Sequence, residues 1–188
     1  MTKLVSDYIF NFKVALNSLD LSQVERASDL LLTKRQNQNS IYLAGNGGSA
    51  ALAAHMSVDL MFGTRTSQPS LKTICLSSNS ASITATGNDI TFESIFSRQI
   101  RHLGMKDDLL VVISASGNSI NLVNAVNEAK ELGIETLGIL GFDGGKLLRL
   151  VDHVIHVKTS LGAYGISEDV HLLINHLLVE SIKEKAMK

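Results

Sequence analysis

With 188 residues, 45% of them hydrophobic, the chain has the size of one ample domain and enough apolar side chains for a substantial core. A net charge of −1, with acids and bases interspersed, argues against a basic face for nucleic acid. One cysteine, Cys75, rules out an internal disulfide, and no apolar run approaches the ~20 residues of a membrane span.

The first residues, "MTKLVSDYIFNFK", lack the uninterrupted apolar core and cleavage site of a signal peptide, so a soluble, cytoplasmic protein is expected. Residues 4–32 then place Leu4, Tyr8, Phe12, Ala15, Leu19, Val24, Ala27, Leu30 and Leu31 at helical spacing, which predicts one or two amphipathic helices. "KRQNQNS" (34–40) reads as a polar break. "IYLAG" (41–45) is a short apolar run stopped by glycine, hence a buried strand, and 48–62 reads as a helix. Further strands are predicted at 71–77, with Cys75 in the core, and at 108–114, 134–141 and 153–157. Helices are predicted at 79–86, 91–103, 119–132 and briefly near 145–150, with a closing helix at roughly 167–186.

Continuous apolar strands alternating with helices predict an α/β fold, a three-layer doubly wound sheet of five parallel strands. No linker, repeat or low-complexity segment interrupts residues 1–188, so a single domain is expected. The helical region 1–35 stands outside the alternation and is expected to be an extension that contacts another subunit.

Two loops carry the chemistry. "GNGGS" follows the first strand and "SASGNS" (114–119) follows the third, and both precede a helix. Glycine lets the backbone approach an anion, while serine hydroxyls and the free N–H groups of a helix start donate to it. With strand order 2-1-3-4-5, the reversal falls between strands one and three, so both loops would meet at one crevice. That pattern favours a phosphate held from two sides. One alternative for the first loop is a plain strand-to-helix turn capped by Ser49. Another is a dinucleotide loop, since Gly45, Gly47 and Ala50 fit G-x-G-x-x-A. The second strand, however, ends "SSNS" without the ribose-binding acid, and no Walker lysine is present.

His55 and Asp59 are spaced i, i+4 and project from one face of an otherwise apolar helix. They are open to two readings, a hydrogen-bonded core pair or part of a metal or acid/base set. His171 lies about 140° from His176 around an ideal helix, so it belongs to the core or behind the site. His102, His153 and His156 receive no role.

The motifs "GNGGS", "TATGNDITFESIFSRQI" (84–100), "DDLLVVISASGNS" (107–119), "GFDGGK" (141–146) and "EDVHLLINHLL" (168–178) together resemble the sugar isomerase (SIS) domain family, and within it the phosphoheptose isomerases. The resemblance implies a five-stranded parallel sheet and a homotetramer with active sites at subunit interfaces. It implies phosphate contacts from Ser49, Ser114, Ser116 and Ser119, with Asn46, Gly47, Gly48, Asn88 and Asp89 lining the sugar. A plainer alternative for Asn88 and Asp89 is an N-cap of the helix near Thr91. Ala115 stands where the family has threonine, which removes one hydroxyl.

The resemblance also implies a divalent metal, zinc first, bound by His55, Asp59, Glu168 and His176. Asp59 replaces a glutamate of the family and Glu168 replaces a glutamine, so the set becomes two histidines and two carboxylates, suited to zinc and acceptable to iron or manganese. Eight residues of helix span about 12 Å, so Glu168 and His176 share an ion only if they stretch toward each other or if Glu168 precedes the helix. The implied activity interconverts sedoheptulose 7-phosphate and D-glycero-D-manno-heptose 7-phosphate through a cis-enediol. Asp59 or Glu168 is expected as base and His176 as acid. The alternatives are another phosphosugar, or a non-catalytic sugar-phosphate-binding or assembly protein of the kind that associates with a replication initiator.

Overall fold

The five apolar runs form one parallel sheet in the order β2-β1-β3-β4-β5. The computed structural model describes residues 3–64 and 69–186. Its strands are β1 (Ser40–Gly45), β2 (Lys72–Cys75), β3 (Leu109–Ser114), β4 (Glu135–Leu140) and β5 (His153–His156). The helices are α1 (Lys3–Asn17), α2 (Leu21–Asn37), α3 (Gly48–Val58), α4 (Ser80–Asp89), α5 (Ser97–Leu103), α6 (Ile120–Glu131) and α7 (Tyr164–Ala186). The doubly wound order expected from the alternation is the order observed.

Side chains alternate across the sheet, and each face has its own core. Leu43, Val111 and Ile139 face a cluster completed by Leu31 of α2, Met56 of α3, and Ile174 and Leu178 of α7. Tyr42, Leu110 and Val112 face the opposite cluster, with Phe96 and Ile100 near α5 and Leu122 and Val126 of α6. Gly45 pairs with Ile113, so β1 and β3 end level and deliver their loops to the same edge.

Several boundaries differ from the sequence reading, each for a tertiary reason. "KRQNQNS" is not a break. Helix α2 runs through it to Asn37 and stops where Gln38 turns left-handed (φ 58°) and returns its N–H to the Lys34 and Arg35 carbonyls. Lys34 and Arg35 are buried because each finds a partner. Lys34 Nζ donates to the Asp107 carbonyl at 2.7 Å and pairs with Glu135, and Arg35 Nε donates to the Pro69 carbonyl at 2.7 Å. Cys75 is only half-buried, at the end of edge strand β2, packed against the first core. The stretch 91–103 is a 3-10 turn (Phe92–Ser94) followed by α5. Helix α7 starts three residues earlier than 167, which places Glu168 a full turn into it.

Helix α1 is bound to its own chain as well as reaching outward. Tyr8 donates its hydroxyl to Asp169 Oδ2 of α7 at 2.6 Å, and Ala15 is buried, while Leu4, Phe10 and Val14 lie exposed. Among the described residues, no helix is long and apolar enough to cross a membrane.

Candidate active site

The first loop depends on close backbone approach. A Cβ on Gly45 would fall 2.4 Å from the Ser49 carbonyl oxygen, and Gly47 (φ +54°) turns the chain into α3. Gly47 therefore holds the cap position. Ser49 sits inside the first turn and is buried, so it is not the cap.

The second loop is locked to the Gly144–Gly145 turn. A Cβ on Gly117 (φ +62°) would lie 1.9 Å from the Gly144 carbonyl oxygen. Asn118 fastens the two, accepting from the Lys146 N–H at 3.0 Å and donating to the Ser116 carbonyl at 3.1 Å. Ser114 Oγ accepts from the Gly117 N–H at 3.0 Å. Ser119 occupies the N-cap of α6, yet its hydroxyl makes no capping bond and is left for another partner. Asn46 and Asn121 exchange paired amide hydrogen bonds at 2.9 Å, tying the first loop to α6.

Between the loops lies a cavity of about 150 Å³ lined by Asn46, Ser49, Ser114, Ser116, Ser119 and Glu168. Ala115 and Tyr164 also line it, and Tyr164 is set edge-on to Phe142 with ring centres 5.0 Å apart. The starts of α3 and α6 both lead into it, so unpaired N–H groups and two helix dipoles favour an anion there.

A second groove, of about 420 Å³, is lined by Gly48, His55, Glu168, Asp169, Leu172 and His176. Glu168 borders both cavities. Its carboxylate lies directly against Gly48, where a Cβ would come within 2.4 Å of all three carboxylate atoms. Only glycine at 48 leaves that place open.

Beside this groove, His55 Nε2 lies 3.1 Å from Asp59 Oδ2, His176 Nε2 lies 3.7 Å from the same oxygen, and the two imidazole nitrogens are 3.4 Å apart. Ligand atoms about 2.0–2.1 Å from a tetrahedral zinc stand roughly 3.3 Å from one another, so the three atoms fit as three corners. The donor set of two histidines and a carboxylate is one that leaves a fourth position open. Asp59 opens a π turn (Asp59–Gly63) at the end of α3, and its N–H meets both the His55 and Met56 carbonyls. The carboxylate is not sunk in the core, as the surrounding apolar letters suggested. Its side chain is 25% exposed, and those of His55 and His176 are 49% and 57% exposed.

Glu168 stands apart from this trio, eight residues earlier in α7 and well inside the helix. Of the two ways in which Glu168 and His176 could share an ion, the one that needs Glu168 ahead of the helix is not met. Asn88 and Asp89 end α4, where Asn88 Nδ2 donates to Asp89 Oδ1 at 2.7 Å. They are exposed and line neither of these two cavities, and Thr91, not they, holds the cap of the following turn.

A model of the SIS domain matches residues 7–141, nearly three quarters of the chain. The chain belongs to the SIS domain family. Within that family it aligns with the phosphoheptose isomerase of a Nitratiruptor species at 40% identity over 158 residues, covering 84% of this chain and 83% of that one. A phosphoheptose isomerase of Helicobacter pylori is 36% identical, covering 91% and 88%. The solved phosphoheptose isomerase of Francisella tularensis superposes with a TM-score of 0.86 at 30% identity, covering 98% of this chain and all of the other. This SIS-domain protein is a phosphosugar isomerase of the same group, which sets aside a non-catalytic assembly role.

Several residues of the site carried no signal in the sequence. Asn175, fully buried on α7, donates to Asp59 Oδ2 at 2.6 Å. Asn121 and Asn118 hold the loops, and Tyr8 holds Asp169, whose hydrogen bond pushes the Tyr8 hydroxyl up to about 12. These positions are spread over three helices and a loop, and only tertiary packing brings them to the site. His171 is fully buried behind the site, as its helical angle predicts, and burial pushes its imidazole down to about 4.

Proposed function

We propose that this protein is a metal-dependent aldose–ketose isomerase that interconverts sedoheptulose 7-phosphate and D-glycero-D-manno-heptose 7-phosphate. The observation that carries this reading is the junction of two cavities. A crevice built for an anion opens, at Glu168, beside a groove with a His–Asp–His cluster. A linear sugar phosphate held by its phosphate can run its carbonyl end from one into the other.

Ser49, Ser114, Ser116 and Ser119 bind the phosphate, with Gly47 and Gly48 admitting it and Asn46 lining the sugar. This anchoring converts proton transfer into an intramolecular event. His55, Asp59 and His176 would hold the divalent ion, zinc by the nature of the donors. When bound, such an ion would supply Lewis acidity at the carbonyl end of the sugar. Glu168 is the carboxylate free of the cluster and shared by both cavities, so it takes the proton from C1 of the ketose. His176 returns a proton to O2, giving the cis-enediol. Glu168 then delivers its proton to C2 while O1–H returns a proton to His176, so the aldose forms and both side chains regain their starting states.

The half-exposed cluster and the apolar side chains on α1 support a homotetramer whose neighbouring copy covers the groove. Asn88 and Asp89, exposed and away from their own cavities, would serve a neighbour's site.

The test is metal content together with turnover on heptose, hexose and pentose phosphates. About one zinc per chain is expected, with heptose turnover lost to a chelator and restored by zinc. Full activity in metal-free protein would overturn the metal assignment. Turnover confined to pentose or hexose phosphates would overturn the substrate.

A further inference from the structure

Asn175 is a buried amide that packing alone does not call for. It lies on the inward face of α7 between Ile174 and Leu178, with no exposed surface. One N–H of its amide donates to Asp59 Oδ2 at 2.6 Å, while its Oδ1 has no hydrogen-bond partner. An amide has two donors and two acceptor lone pairs, and leaving part of that capacity unmet in the core destabilises the fold. A leucine of similar volume would carry no such cost.

The oxygen it grips explains its presence. Asp59 Oδ2 is the same atom that faces His55 Nε2 at 3.1 Å and His176 Nε2 at 3.7 Å. A carboxylate on so short an arm swings about χ1 and χ2 unless something fixes it. Asn175 approaches from the core side, and His176, the next residue, projects about 100° around the helix into the groove. Two successive residues of α7 thus meet one oxygen, one from beneath and one from beside it.

We propose that Asn175 is a positioning residue. Its charge-assisted hydrogen bond holds Asp59 Oδ2 between the two imidazoles and so sets the affinity of the cluster for a divalent ion. This rests on the metal reading of the site given above. Partners of this kind, one shell behind the ligands, govern metal affinity by tenfold to a hundredfold.

The experiment measures zinc affinity of the full-length protein by competition with a chelating dye, without sugar, for wild type, Asn175→Leu and Asn175→Ala. Both variants should bind zinc at least tenfold more weakly. Affinity for inorganic phosphate should stay within twofold of wild type. Asn175→Leu should melt at or above the wild-type temperature, whereas Asn175→Ala, which leaves a void, should melt lower. In an Asp59→Ala background, adding Asn175→Leu should change zinc affinity by less than twofold. If wild type binds zinc and Asn175→Leu binds it equally well, the positioning role is refuted and the metal reading survives. Zinc affinity that merely tracks melting temperature across the variants also refutes it. A wild type that binds no zinc overturns the metal reading and this inference with it.

Discussion

Replacing His171 by leucine should remove a large part of the protein's sensitivity to mild acid. His171 is fully buried on the inner face of α7. The Leu140 carbonyl favours its protonated form, but burial outweighs that and nearby His156 opposes it, so the folded imidazole sits at about 4. In the unfolded chain the imidazole regains its ordinary value near 6.5. The unfolded state therefore binds the extra proton first. Stability is fully present above pH 6.5, falls as pH drops toward 4, and has lost the whole contribution below that. At ~1.4 kcal/mol per pH unit, the total is about 3 kcal/mol, of which about 2 kcal/mol is gone at pH 5. The assay is urea unfolding of wild type and His171→Leu at pH 7 and pH 5, at one protein concentration and with chelator present, so that assembly and metal do not enter the comparison. The difference between the two proteins isolates the contribution of His171. Wild type should lose about 2 kcal/mol more than the variant between the two pH values. Equal losses would refute the reasoning and mean that His171 is protonated, or hydrated, in the folded state.

Two further variants probe the proposed roles at the cavity junction and in the crevice. Gly48→Ala puts a methyl where the Glu168 carboxylate lies, and because that group ends a flexible side chain it can move aside. Melting temperature should stay within a few degrees while turnover falls at least tenfold, and unchanged turnover would take Glu168 out of the proton transfer. Ser49→Ala combined with Ser116→Ala removes two hydroxyls from the crevice and should weaken sugar-phosphate binding at least tenfold by calorimetry. Unchanged affinity would separate the crevice from the phosphate.

The parts of the fold that were legible in the sequence are those fixed by local pattern. Strands such as "LLVVIS" are apolar throughout because helices cover both sides, and that announces a central parallel strand. The glycine loops were legible for a related reason, since Gly45 and Gly117 leave no room for a Cβ. The "KRQNQNS" segment failed because its polar letters are those of a surface turn. The buried Lys34 and Arg35 are satisfied by Asp107, Glu135 and Pro69, all distant in sequence. The π turn at Asp59 also left no trace in the helical spacing of His55 and Asp59, which holds whether or not the helix widens after them.

Asp59 and Glu168, which the resemblance implies stand in place of a glutamate and a glutamine, are accommodated by different physics. Asp59 has one methylene fewer with which to reach its neighbours. The π turn begins at this residue, Asn175 holds its Oδ2 from the core side, and the contact with His55 remains at 3.1 Å. The shorter arm is thus met by a support on the far side. Glu168 brings an additional negative charge, which at the His–Asp–His cluster would crowd a second carboxylate beside the first. It lies instead against Gly48, in the first turn of α3, where free N–H groups and the helix dipole offset negative charge. One carboxylate is therefore committed to the cluster and the other is kept apart, at the junction of the two cavities. In the proposed mechanism, a site in which both carboxylates served as ligands would leave no acid at that junction, and the separation would let a single short helix start, α3, serve the proposed phosphate loop and the proposed proton carrier together.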